Sequence, residues 1–263
     1  MQQLSNLVVD CCYGLRLIES EAQNLSRFSL SGCRVKKVLL GETLQMKRFC
    51  MTRSELVRYA RTEMPASMPN LEALVITSHY ERDTPMLPTK FMFLKYLCIN
   101  LVCGLCVSPS YDYFSLASFL DASPSLETLI LDVTQHEMKH KSVFDDLFQL
   151  RQMPDHRLGC LKTVKIKGFS SAKGLIELIC YTVKNAESLD CLTLDTLCGT
   201  NRCYLENSVL KHCDPMSKGI LKEAPRAVKA IRTYIEDKVP STVKLTVLEP
   251  CSRCHANGGF QIL

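Results

Sequence analysis

An α/β solenoid, with parallel strands lining the inside of a horseshoe and irregular helices outside, is the fold class this sequence predicts. Three observations predict it. Leu71-Glu72-Ala73-Leu74-Val75-Ile76, Leu94-Lys95-Tyr96-Leu97-Cys98-Ile99, Leu126-Glu127-Thr128-Leu129-Ile130-Leu131, Leu161-Lys162-Thr163-Val164-Lys165-Ile166 and Leu189-Asp190-Cys191-Leu192-Thr193-Leu194 share one six-residue frame. Turn-prone stretches precede the Glu and Asp versions: Met68-Pro69-Asn70, Ser123-Pro124-Ser125 and Ala186-Glu187-Ser188. The second position alternates Glu, Lys, Glu, Lys, Asp.

Apolar residues at positions 1, 4 and 6 suit a short strand entered from a turn. Positions 4 and 6 point to one side of such a strand and position 5 to the other. One strand cannot bury its apolar side alone, so it must stack on copies of itself, which is the logic of a leucine-rich repeat. The frames start at 71, 94, 126, 161 and 189, two of the four gaps being wider than the roughly 20–29 residues of regular repeats. The ninth position, usually Asn, holds His79, Val102, Thr134, Phe169 and Leu197. The repeats are therefore expected to be irregular.

Composition narrows the function. The 263 residues carry 46% hydrophobic and 22% charged side chains, enough for a sizeable core and unlike a disordered chain. A net charge of +5 is too mild for the concentrated basic footprint of a nucleic-acid binder. The most apolar window, Phe91 to Val107, is interrupted by Lys95 and Asn100 and falls short of the about 20 residues that span a membrane. No basic, apolar leader opens the chain. Fifteen cysteines is an odd number, and Cys98, Cys180 and Cys191 read as small buried hydrophobes. A reducing, intracellular location, cytoplasmic or nuclear, is expected.

Taken in order, Leu4-Ser5-Asn6-Leu7-Val8-Val9 and Leu25-Ser26-Arg27-Phe28-Ser29-Leu30 already carry the strand frame, and Val35 to Leu40 is a weaker copy. No polar cap precedes the first strand, which suggests a truncation or a longer product. Thr52 and Glu55 have capping-box spacing and predict a helix through Leu56, Val57, Ala60 and Met64 that stops at Pro65. Residues 79–90, with two prolines, read as a loop. Asp112 opens a helix carrying Phe114, Ala117 and Leu120 on one face. Phe144, Leu147, Phe148 and Leu150 mark another. The strongest helical periodicity runs from Ser171 to about Ala186. Pro225 is placed as a first helical residue, followed by the stripe Val228, Ile231 and Ile235, with Lys222, Arg226, Lys229 and Arg232 as its solvated flank. Pro240 ends that helix, and Val243, Leu245 and Val247 alternate as a last strand. The organisation expected is a repeat region at 1–200, a C-terminal capping helix and strand at 201–249, and a flexible tail at 250–263.

Three motifs could carry chemistry. His136-Glu137-Met138-Lys139-His140 matches the zinc-peptidase pattern, in which both histidines hold the metal and the Glu serves as base. This zinc-dependent hydrolase is the alternative function. Against it, Lys139 would set a cation beside zinc, the flanks are polar, and an exposed loop is expected after a repeat strand. Cys251-x-x-Cys254-His255 has the form of a c-type haem attachment, but no haem-sized helical domain surrounds it. Joined with Cys103-Gly104-Leu105-Cys106, it could supply four thiolates to zinc. Inert thiols are the simpler reading, so no cofactor and no metal is expected. No phosphate-cradling or nucleophile-elbow glycine motif occurs, and the chain is expected to be no enzyme.

Several phrases resemble plant F-box/leucine-rich-repeat proteins, grass ones in particular. They are Ser110-Tyr111-Asp112-Tyr113-Phe114-Ser115-Leu116, Phe119-Leu120-Asp121-Ala122-Ser123-Pro124-Ser125-Leu126-Glu127, Leu150-Arg151-Gln152-Met153-Pro154, Gly168-Phe169-Ser170-Ser171-Ala172-Lys173 and Ile235-Glu236-Asp237-Lys238-Val239-Pro240-Ser241-Thr242-Val243. The resemblance spans the chain but covers only the repeat region of that family. It implies the substrate-recognition part of an SCF-type ubiquitin ligase, in which the repeats hold a target protein. The F-box of such proteins docks on a Skp-type adaptor. No such segment precedes Leu4, so the adaptor is expected as a partner only of a longer product. Some plant F-box solenoids hold hormones, but no convergent basic pocket for a carboxylate or phosphate is evident here.

In a horseshoe the third, fifth and seventh positions line the concave face. From them Val75, Tyr96, Asn100, Ile130, Asp132, Lys165, Lys167, Thr193 and Asp195 are the expected partner-binding residues. Their mixture of apolar, aromatic and charged groups suits a protein interface, with an ordinary solvated face as the alternative.

Overall fold

A computed structural model of the protein describes residues 4–32, 35–81, 83–135, 140–145, 149–152, 154–198, 213 and 216–255, apart from 104–110. Among them, strands β1 (Asn6–Asp10), β2 (Leu17–Ser20), β3 (Arg27–Ser31), β4 (Lys37–Leu40) and β5 (Arg48–Ser54) come first. Helices α1 (Leu56–Thr62) and α2 (Met64–Ser67), strands β6 (Ala73–His79) and β7 (Tyr96–Cys103), a 3₁₀ turn (Tyr113–Leu116) and α3 (Ala117–Ala122) follow. Then come β8 (Thr128–Gln135), β9 (Thr163–Lys167), α4 (Lys173–Asn185), β10 (Cys191–Asp195), α5 (Lys218–Tyr234), a 3₁₀ turn (Glu236–Lys238), β11 (Lys244–Leu248) and α6 (Ser252–His255). The fold is mixed α/β.

Nine of these strands form one parallel sheet in the order β1-β3-β5-β6-β7-β8-β9-β10-β11. From β5 on, each strand pairs with the next strand in sequence, and the register keeps the frame aligned: Leu74 faces Leu97, Leu97 faces Leu129, Leu129 faces Val164, and Val164 faces Leu192. Positions 1, 4 and 6 are buried throughout, as in Leu71, Leu74 and Ile76, or Leu161, Val164 and Ile166. These ladders and the apolar faces of α1, α3 and α4 make one continuous core, which is why Leu recurs where the sequence repeats it.

The alternating second position sits at the seam where each strand begins. The Lys47 carbonyl accepts from the N–H groups of Glu72 and Ala73 at 2.8 and 2.9 Å, and the Glu72 carbonyl from those of Lys95 and Tyr96 at 2.9 and 3.1 Å. Charges of opposite sign therefore stand side by side. Lys47 pairs with Glu72 at 3.1 Å and Lys162 with Glu127 at 3.3 Å. Both pairs are exposed, so each adds only about 0.2–1 kcal/mol, and they help fix register more than stability.

Several expectations need correction. Val35 to Leu40 is not a rung of the main sheet: β4 pairs only with β2, in a separate two-stranded parallel sheet. Between the frames at Leu4, Leu25 and Met46 the return is made by the short strands β2 and β4 rather than by helices. Thr52 and Glu55 do not form a capping box. Thr52 lies inside β5, and Glu55 adopts φ 53° and makes no side-chain cap. The start of α1 is capped from the next repeat instead: Ser78 Oγ accepts from Leu56 N–H at 2.8 Å, and Glu81 Oε1 from Val57 N–H at 2.6 Å. Pro65 does not stop the helical path but sits in the first turn of α2.

Asp112 does cap its turn, accepting from Phe114 N–H at 3.2 Å. Phe144 itself is in no helix; it lies in a turn after an antiparallel bridge from Ser142 to Ala172. Leu147 and Phe148 lie outside the described residues, and Leu150 is in no helix. Pro225 is inside α5 rather than at its start; Ser217 caps that helix by accepting from Ile220 N–H at 3.3 Å. The basic flank is largely engaged: Arg226 meets Asp145 at 3.1 Å, Arg232 meets Glu249 at 3.4 Å, and Lys229 lies 5.1 Å from the centre of the Phe144 ring. Strand β11 continues the sheet beside β10.

Candidate functional site

The side chains at positions 3, 5 and 7 of the frame stand on the sheet face away from the helices. The third-position row runs Arg27, Arg48, Ala73, Tyr96, Thr128, Thr163, Cys191, Lys244. The fifth runs Ser29, Cys50, Val75, Cys98, Ile130, Lys165, Thr193, Thr246. The seventh includes Thr52, Thr77, Asn100, Asp132, Lys167 and Asp195. All nine expected binding residues thus share one face, brought together from five strands spaced about 4.8 Å apart.

Eight of the nine are half-buried, as groups on an open sheet face flanked by neighbouring rows should be. Asp195 is the exception, being only 5% exposed. Its Oδ1 accepts from Leu197 N–H at 3.0 Å, so it closes the turn after β10 and is withdrawn from the surface. Cys98 and Cys191 are on this face too, half-buried rather than in the core.

Polar groups are linked along the seventh row. Asn100 donates to Thr77 Oγ1 at 3.0 Å, the Cys98 thiol lies 3.7 Å from Asn100 Oδ1, and Lys167 pairs with Asp132 Oδ2 at 3.6 Å. The second oxygen of Asp132 is buried and accepts no hydrogen bond from the described residues. Burial pushes both the Cys98 thiol and the Tyr96 phenol up from their ordinary pKa values, with nearby Asp132 adding to the rise at Cys98. Both therefore stay neutral near pH 7. Cys98 is no activated nucleophile, because such chemistry needs a depressed thiol pKa.

At the N-terminal end, a groove of about 580 Å³ runs over β1, β3, β5, β6 and β7, with Arg27, Arg48, Val75 and Tyr96 among the residues that line it. Arg27 and Arg48 are register partners, and among the described residues neither has a carboxylate at ion-pair distance. Lys165 and Lys244 add cations at the other end.

The family description "At1g61320/AtMIF1, LRR domain" matches residues 1–252. The chain belongs to this leucine-rich-repeat domain family. Comparison with the curated proteins and with the solved structures gives no match.

Arg27, Ser29, Arg48 and Cys50 also stand on this face, though they are not among the expected binding residues, and sequence reasoning missed the strand carrying Arg48 and Cys50. The signal was present: Met46-Lys47-Arg48-Phe49-Cys50-Met51 has apolar residues at positions 1, 4 and 6, with Met and Phe standing for Leu. The two competing motifs separate from this face. Of the zinc-peptidase pattern, His136, Glu137 and the two residues after them lie outside the described residues, while His140 Nε2 is 3.3 Å from Glu223 Oε1 on α5. The four-thiolate pairing fails because Cys103 ends β7, four strands from β11 and so roughly 19 Å from it at sheet spacing; Cys106 lies outside the described residues.

Proposed function

We propose that this chain is a non-enzymatic protein-binding module, its sheet the inner wall of a horseshoe-shaped solenoid and its concave face the grip. The observation that carries this reading is the set of three rows in register, two over eight strands and one over six, mostly half-buried or exposed and mixing aliphatic, aromatic and charged groups. Mixed surfaces with buried aromatic and Arg anchors are what protein interfaces are made of. Cations outnumber available anions here: Arg27, Arg48, Lys165 and Lys244 have no carboxylate partner among the described residues, while Asp132 is committed to Lys167 and Asp195 to its own turn. A target presenting an acidic surface fits best, with a hydrogen-bond donor for the remaining oxygen of Asp132.

The more specific proposal is that the module is the substrate-recognition region of an F-box/leucine-rich-repeat receptor of an SCF-type ubiquitin ligase, acting inside the cell. What supports it is the likeness of phrases across the chain to that group of plant proteins, together with membership of the repeat family. Affinity capture with the chain as bait, followed by Lys165→Glu and Tyr96→Ala, tests the binding reading. A specific partner lost from both variants is expected. Unchanged capture by both would place the grip elsewhere. Co-precipitation of a Skp-type adaptor with the longest natural product tests the ligase reading separately.

A further inference from the structure

We propose that Cys213, Cys251 and Cys254 form a zinc site that clips the C-terminal end of the sheet, a reading independent of what the open face binds. Cys213 lies just before α5, while Cys251 and Cys254 follow β11. These distant segments bring three sulfurs within 4.8 Å of one another. Cys213 Sγ and Cys251 Sγ are 3.5 Å apart, well beyond the about 2.05 Å of a disulfide. Tetrahedral zinc with Zn–S bonds of about 2.3 Å separates its sulfurs by about 3.8 Å. The cluster is therefore already at metal-ligand spacing.

A second observation concerns the turn itself. Cys254 N–H donates to Cys251 Sγ at 3.2 Å. The two-residue gap lets both sulfurs of the Cys251-x-x-Cys254 turn face one ion, and this hydrogen bond holds the turn in that shape. A third comes from His255, whose Nδ1 is buried and has no hydrogen-bond partner among the described residues. A buried imidazole nitrogen without a partner is uncommon; His255 adjoins Cys254 in sequence, but its ring nitrogens are not among the ligand atoms grouped within 4.8 Å, so the three sulfurs carry the site. Three thiolates are a soft donor set that selects zinc over magnesium or calcium. A third thiol from a remote segment also distinguishes the cluster from a haem attachment pair.

Zn²⁺ takes three Zn–S bonds as the three thiol protons pass to solvent. The centre then carries one net negative charge, with no change of oxidation state. Its consequence is mechanical. A terminal repeat has no neighbour on its outer side and needs a cap. Zinc would tie the entry of α5 to the segment beyond β11, closing the last strand against its own helix.

The test uses the full chain purified anaerobically with reductant, then titrated with zinc chloride alone. One equivalent retained through gel filtration is expected, together with an intense near-ultraviolet thiolate-to-metal absorption when cobalt replaces zinc. Cys213→Ser and Cys254→Ser should each weaken zinc binding at least tenfold, within the range of about 10–100-fold seen for lost supporting groups or more. Alkylation of the unaltered chain with and without zinc needs no variant, and protection should map to Cys213, Cys251 and Cys254. Absence of stoichiometric zinc, protection mapping to other cysteines, full occupancy in a Cys213→Ser/Cys254→Ser double variant, or a Cys213–Cys251 disulfide in the anaerobic chain would each overturn the site.

Discussion

Glu223 on α5 accepts from both the backbone N–H and the hydroxyl of Ser171, at 2.8 and 2.5 Å, so the C-terminal helix is fastened to the residues that lead into α4. His140 approaches the same oxygen at 3.3 Å. Burial alone would raise the Glu223 pKa, but the hydrogen bonds from His140 and Ser171, with the charge on His140, hold it below its ordinary value. A carboxylate whose folded pKa is depressed contributes stability that is present above its unfolded pKa and lost as pH falls through the folded one. Glu223→Gln should therefore destabilise at pH 7 by about 1–3 kcal/mol. The gap to the unaltered protein should close as pH falls below about 4, the ordinary range of Glu. Denaturant melts of both proteins across that range check it; a gap independent of pH would remove the charge from the account.

The start of α1 offers a cleaner contrast. Ser78 supplies its cap from a neighbouring strand, in contact with Glu81, whereas Glu55 stands at φ 53° with no capping bond. Ser78→Ala should cost about 1–2 kcal/mol. Glu55→Gly should instead stabilise by about 1 kcal/mol, since a side chain in the left-handed region carries a penalty that glycine escapes. Thermal unfolding of the two variants gives shifts of opposite sign. Loss of stability in Glu55→Gly would restore the capping box that the spacing of Thr52 and Glu55 suggests.

Gly168 follows β9 at φ 66°, and a Cβ there would lie 1.9 Å from the carbonyl oxygen of Val133. Both the backbone conformation and the close approach require glycine. Since the obstacle is backbone on a central strand, it cannot swing aside. Gly168→Ala should destabilise by more than about 3 kcal/mol, in the range reserved for strain at special positions. At Gly14 an added Cβ would meet nothing within 4 Å, so Ala should be accepted there within about 1 kcal/mol. Comparative denaturation midpoints decide between them.

What could be read beforehand, and what could not, follows from the range of the interactions. Leu71, Leu94, Leu126, Leu161 and Leu189 repeat one local rule, and each is buried with its neighbours in register, so the central strands were visible in the sequence. Strand β5 was hidden because Met46, Phe49 and Met51 satisfy the same burial with other side chains, and because Thr52 and Glu55 imitate a local helix start. Arg61 shows the limit plainly. It is buried, donating to the Ser118 hydroxyl at 2.7 Å, to Thr89 at 2.8 Å and to the Leu87 carbonyl. Nothing within a turn of Arg61 announces partners that arrive up to 57 residues later. The open face was legible for the same reason as the core, since strand alternation assigns both at once. Asp195 escaped the rule because its carboxylate finds a nearer donor in Leu197 N–H.

The excess of cations on the open face makes its own prediction. Arg27 and Arg48 are adjacent in the third row and exposed, and Lys165 lies across the sheet from them. If an acidic partner docks here, these charges act mainly on encounter, because exposed charges steer association and are screened beyond about 8 Å at physiological salt. Arg27→Glu/Arg48→Glu should slow association with a captured partner by about tenfold or more at low salt. The deficit should shrink as salt is raised. Tyr96→Ala should instead speed dissociation, since a half-buried aromatic contributes contact that is lost only after docking. Surface plasmon resonance over a salt series separates the two effects. Equal association rates for the charge-reversed and unaltered proteins at low salt would show that the arginine pair takes no part in recognition.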